Sequence, residues 1–85
     1  MRKWNYRQIA AMLASGDYQT FEGNTMRGMW ITRNYGAGVN PVFRVWSYNT
    51  VIGEYDPTVG WQLNLTKYSV TTSKHQGYLS RAVGA

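Results

Sequence analysis

The chain has 85 residues, enough for one small domain and no more. Apolar residues make up 44% and charged residues 15%, which excludes a disordered tail. Nine Lys/Arg against four Asp/Glu give a formal charge of +5, so an anionic partner is expected: nucleic acid, a free nucleotide or an acidic protein surface.

There is no apolar run of roughly 18 residues that would span a membrane. Arg2, Lys3 and Trp4 follow Met1 with no apolar stretch of signal-peptide length behind them, so a cytoplasmic setting is expected. With no cysteine there is no disulfide framework, thiol nucleophile or zinc knuckle. Thirteen residues are aromatic, and each buries roughly 150–250 Å² when packed. One small core does not hide them all, so some are expected at a ligand site or in a homo-oligomer interface.

In chain order, residues 5–15 read as an amphipathic helix with Tyr6, Ile9, Ala10 and Leu13 on its apolar face. Asn5 suits the N-cap and Gly16 the C-terminal stop. Gly23-Asn24 marks a turn. A strand is expected at about 25–33, with Arg27, Met29 and Ile31 on one face and Met26, Gly28 and Trp30 on the other. The segment Asn34 to Gly38 reads as a flexible connection ended by Asn40-Pro41.

Residues 42–48 are the clearest strand, rich in β-branched and aromatic types. Alternation puts Phe43, Val45 and Ser47 on one face, and Val42, Arg44, Trp46 and Tyr48 on the other. Further strands are expected at about 51–55 and 61–66, the second carrying Trp61, Leu63 and Leu65 on one side; Asp56-Pro57 turns the chain between them. Ser73 and Gln76 have capping-box spacing, which predicts a short helix over about 74–82. His75, Tyr78, Leu79 and Ala82 fall on one side of it. The sum is an α+β domain: an antiparallel sheet of three or four strands, an N-terminal helix and a short C-terminal helix.

The spacing does not support catalysis. There is one His, and its hydroxyl neighbours Ser69 and Ser73 are too close in sequence to converge on it as a triad does. The carboxylates form two pairs, Asp17/Glu22 and Glu54/Asp56, and Asp56 before Pro57 is turn chemistry. Gly36-Ala37-Gly38 opens like a phosphate-binding turn, but a strand follows where a helix is needed. No enzyme, metal or cofactor is expected.

Two sets point to binding. Arg44, Trp46 and Tyr48 would form a stacking platform for a base, with cations for phosphate and with Arg27 and Arg33 joining from the neighbouring strand. The alternative is a core Trp46 with Arg44 snorkelling from its edge. The stretch Lys67 to Gln76 gathers Ser69, Thr71, Thr72, Ser73, Lys74 and His75 at a helix N-terminus, a sensible cradle for phosphate or ribose. A polar loop before a capped helix explains Ser73 and Gln76 without a ligand. The set expected to hold a ligand is therefore Arg44, Trp46, Tyr48, Lys67, Thr71, Thr72, Ser73, Lys74 and His75.

Three stretches carry a resemblance. They are Phe21-Glu22-Gly23-Asn24, Trp46-Ser47-Tyr48-Asn49-Thr50-Val51-Ile52, and Lys67-Tyr68-Ser69-Val70-Thr71-Thr72-Ser73-Lys74-His75-Gln76, with Trp61 between the last two. Together they resemble a family of small tailed-phage proteins over roughly residues 18–78, with Trp46 standing where the family pattern has Tyr. The family has no established general activity. The resemblance implies a phage origin and an accessory role in the host cytoplasm. By analogy with non-enzymatic phage proteins, the expected function is counter-defence: a homo-oligomer that binds and sequesters a nucleotide-derived host immune signal without turnover. The alternatives are a nucleic-acid-binding protein and an inhibitor of a host protein.

Overall fold

A computed structural model describes residues 3–35, 38–66 and 68–84. Helix α1 spans Tyr6–Ser15 and helix α2 Val70–Val83. Strands β1 (Phe21–Glu22), β2 (Met26–Tyr35), β3 (Gly38–Ser47), β4 (Thr50–Asp56) and β5 (Gly60–Leu63) lie between them. The five strands form one antiparallel sheet in sequence order, so each strand pairs with the next along the chain. The sequence led to three or four strands. The extra one, β1, is two residues long and too short to show alternation.

Asn5 caps α1 as expected, accepting from the Gln8 amide at 2.9 Å while the Gln8 side chain accepts from the Asn5 amide. Gly16 closes the helix with φ 81°. Its buried stripe is Ile9, Met12 and Leu13. Tyr6 and Ala10, expected on that stripe, are exposed. The helix is rotated so that Met12 takes the inward position.

Helix α2 begins four residues before the expected start. Ser69, not Ser73, is the N-cap and accepts from the Thr72 amide at 3.2 Å. The run Thr71-Thr72-Ser73 is helical because the cap precedes it and the sheet covers Thr72.

Both helices pack on one face of the sheet. Ile9, Met12, Leu13 and Leu79 meet Phe21, Met26, Phe43, Val45 and Ile52 in a single core. Glycine permits the close approach at two points: a Cβ on Gly28 would run into the Phe21 ring, and one on Gly53 into Leu79. Ile52 reaches the core through a bulge, since Val45 pairs Gly53 and Trp46 pairs Val51, leaving one extra residue on β4.

Pro41 lies inside β3 opposite Thr32 rather than ending a loop. It sits beyond the last described β3–β4 pair, Phe43–Tyr55, where the strand has one partner and an N–H can be dispensed with. Strand β5 stops at Leu63, and Leu65 is exposed instead of joining Trp61 and Leu63. Among the described residues, no helix is long and apolar enough to cross a membrane.

Candidate binding surfaces

Parity decides which side chains of β3 meet helices. Phe43, Val45 and Ser47 point to the helical layer; Arg44 and Trp46 point to the other face. That face carries no helix among the described residues.

On the helical side, a hydroxyl among apolar neighbours needs a partner. Ser47 Oγ lies 2.6 Å from His75 Nδ1, and it donates to Thr72 Oγ1 at 3.3 Å. The other ring nitrogen, Nε2, is 2.7 Å from the Tyr6 hydroxyl and 3.0 Å from Thr25 Oγ1, which are 3.0 Å from each other. Ser69 Oγ donates to Thr72 Oγ1 at 3.2 Å. Beside this network, Gln76 donates to the carbonyls of Asn64 and Thr66. One imidazole thus ties α1, the β1–β2 turn, β3 and α2 together.

His75, Ser47 and Thr72 are all buried. Burial, and then the Lys74 charge, push the imidazole pKa below its ordinary value, so the ring is neutral near pH 7. Ser47 and His75 have the separation of a nucleophile and its base. Ser47 is fully buried, so its Oγ is closed to any substrate.

The uncovered face is different in kind. The Arg27 guanidinium lies 5.1 Å from the Trp46 ring centre and that of Arg44 5.9 Å. Arg27 and Trp46 are cross-strand partners, as are Met29 and Arg44. Arg44 is held by Glu54, with Nε at 2.8 Å and a terminal nitrogen at 2.7 Å from the same carboxylate oxygen. Trp46 is half-buried and Met29 exposed. Arg27 also lines a polar pocket of about 240 Å³ with Lys3, Glu22, Asn24, Thr25, Tyr48 and Asn49.

The nine residues expected to act together are therefore divided. Arg44 and Trp46 lie on the open face. Thr72 and His75 are buried on the opposite side, where they hold the fold and are not available to a ligand. Thr71, Ser73 and Lys74 are exposed on the first turns of α2. Lys67 lies outside the described residues, as does the side chain of Arg33.

Tyr48 does not continue the Arg44–Trp46 row. The strand ends at Ser47, and Tyr48 enters the turn with φ 55° while its amide donates to the Thr25 carbonyl at 2.7 Å. That left-handed conformation breaks the alternation and brings its ring to 6.2 Å from His75. Of the carboxylate pairs, Glu54 is bound to Arg44, and Asp56 accepts from the Thr58 amide at 2.8 Å as a turn residue. Among the described residues, no group of three His, Asp or Glu could hold a metal ion.

Tyr6, Thr25 and Ser47 were not singled out from the sequence. Only Ser47 had a signal: a hydroxyl at an inward position between apolar residues needs a polar partner. Two of the three stretches singled out in the sequence meet in this network: Ser47 is in the second, and Ser69, Thr72 and His75 are in the third.

A family model described as a family of unknown function (DUF8033) matches residues 8–82. No curated protein and no solved structure matches the chain.

Proposed function

We propose a binding role for this chain, which belongs to DUF8033, a family of unknown function: it holds single-stranded nucleic acid on the uncovered face of its sheet, without turnover. The observation that carries the reading is the cluster of Arg27 and Arg44 guanidinium groups, 5.1 and 5.9 Å from the Trp46 ring centre, on a sheet face with no helix over it among the described residues. Guanidinium planes and an indole offer flat surfaces to bases, and the guanidinium N–H groups reach phosphate oxygens. Glu54 fixes Arg44 in place, so part of the ordering cost is met before binding. The polar pocket shares Arg27 with the stack and adds Lys3 and Tyr48, which extends the surface past the sheet edge.

Sequestration of a nucleotide-derived signal is the second reading, favoured by that pocket with its phenol and its two cations against one carboxylate. Among the described residues, Trp46 and the α2 segment enclose no common site, because they lie on opposite faces of the sheet. An open platform suits a strand better than a small ligand, which binds best when nearly surrounded. The resemblance to small tailed-phage proteins suggests an accessory protein acting in the host cytoplasm.

Fluorescence anisotropy with labelled oligothymidines of increasing length, at two salt concentrations, tests the reading. Affinity that rises with length and falls steeply with salt supports it. Length-independent binding displaced by cyclic dinucleotides supports the second reading instead. No binding of either ligand overturns both.

A further inference from the structure

The helices leave a groove of about 650 Å³ between α1 and α2, on the side of the molecule away from the open sheet face. Three of its residues, Ala10, Ala11 and Ala14, lie on one face of α1, and Ala82 of α2 adds a fourth methyl. Tyr6 and Tyr78 stand in it with ring centres 5.1 Å apart. Arg7 and Arg81 complete the lining, one from each helix.

We infer that this groove docks an acidic amphipathic helix of another protein. Alanine side chains let a third backbone come close, within the 8–10 Å axis separation of packed helices. The part of α1 from Arg7 to Ala14 rises about 10 Å, or roughly two turns, so two or three side chains of an incoming helix would seat along it. Tyr6 is already held in place through His75 and Thr25, at 2.7 and 3.0 Å, and provides a pre-ordered aromatic anchor. The groove is open along its length, which leaves a small molecule largely in water.

Charge chooses the occupant. Among the described residues, the lining contains two arginines and no carboxylate. Neither helix carries Asp or Glu anywhere; the four carboxylates of the chain are Asp17, Glu22, Glu54 and Asp56. A second copy offering either of its helices would set arginine against arginine. A helix with Glu or Asp flanking its apolar stripe pairs with Arg7 and Arg81 instead.

The test is a display selection of helix-forming peptides about four turns long against the intact protein, followed by anisotropy titration of the recovered peptides. The expected result is an apolar i, i+3, i+4, i+7 stripe flanked by Glu or Asp. Binding should weaken by at least about tenfold in the double variant R7E/R81E, and be regained when the peptide's acids are exchanged for Lys. Both arginines are exposed, but Arg81 donates to the Gly77 carbonyl and lies 5.5 Å from the Tyr78 ring centre, so the variant should melt slightly below the parent, and the regained binding of the Lys peptide shows that its groove is intact. A further variant, Ala11→Trp, should block the groove and abolish binding. Failure to enrich any peptide, enrichment of peptides without acidic flanks, or affinity unmoved by R7E/R81E and by Ala11→Trp would overturn the inference. Oligonucleotide affinity of the same variants is read in parallel. Arg7 and Arg81 lie outside the nucleic-acid platform, so each proposal fails separately.

Discussion

Ser47 and His75 meet at 2.6 Å with both side chains withdrawn from solvent, and that contact fastens the end of β3 to the middle of α2. A buried imidazole deprived of its partner keeps the desolvation cost and loses the bond. Ser47→Ala should therefore destabilise the fold by about 1–3 kcal/mol. Urea denaturation measures it, and an unchanged midpoint would show that the bond contributes nothing net.

The same imidazole makes stability depend on pH. Its folded pKa is lowered by burial and by Lys74, so the unfolded chain takes up a proton more readily than the folded one. The contribution from the neutral ring is fully present above the unfolded value of about 6.5. It is lost as pH falls from there toward the lower folded value. Denaturation midpoints should drop between pH 7.5 and pH 5, and His75→Gln, though less stable, should show a flatter dependence over that interval.

Tyr48 occupies backbone space that large residues seldom adopt, with φ 55°. The residue is 53% exposed, so little packing offsets the strain. Tyr48→Gly should raise stability by about 1 kcal/mol, and it should also weaken nucleotide or oligonucleotide binding at the polar pocket. Thermal melts and titrations on one sample separate the two effects. A gain in stability with unchanged affinity would remove Tyr48 from the binding surface.

On the open face, Trp46→Ala removes the aromatic ring beside both guanidinium groups. Loss of base stacking should cost about 1–3 kcal/mol of oligonucleotide affinity. Arg27→Ala should instead lower the slope of log affinity against log salt by about 0.7, the value for one phosphate contact on a single strand. Titrations at several salt concentrations read both. An Arg27→Ala slope equal to that of the parent would mean that no phosphate sits there.

Much of the fold was legible in the residues. Asn5, Gly16 and the apolar spacing of α1 determine a helix by local chemistry. Period-two alternation in β2 and β3 determines which side chains share a face, and Arg27, Met29 and Ile31 do lie opposite Val42, Arg44 and Trp46. Local rules failed where two neighbouring signals competed. Ser69 and Ser73 both offer a cap for α2, and the packing of Thr72 and His75 against Ser47 selected Ser69.

By itself the sequence determined the charge, the class of fold and the row of cation and aromatic side chains on β3, because these depend on residue type and on spacing along one chain segment. Only the tertiary structure decided that His75 belongs to the interior and Trp46 to the open face. That outcome turns on which side of the sheet the helices cover, and burial of Ile9, Met12, Leu13 and Leu79 against Phe43 and Val45 settles it through contacts far apart in the chain. The groove between α1 and α2 arises in the same way, from two helix faces that have no relation until the sheet brings them side by side.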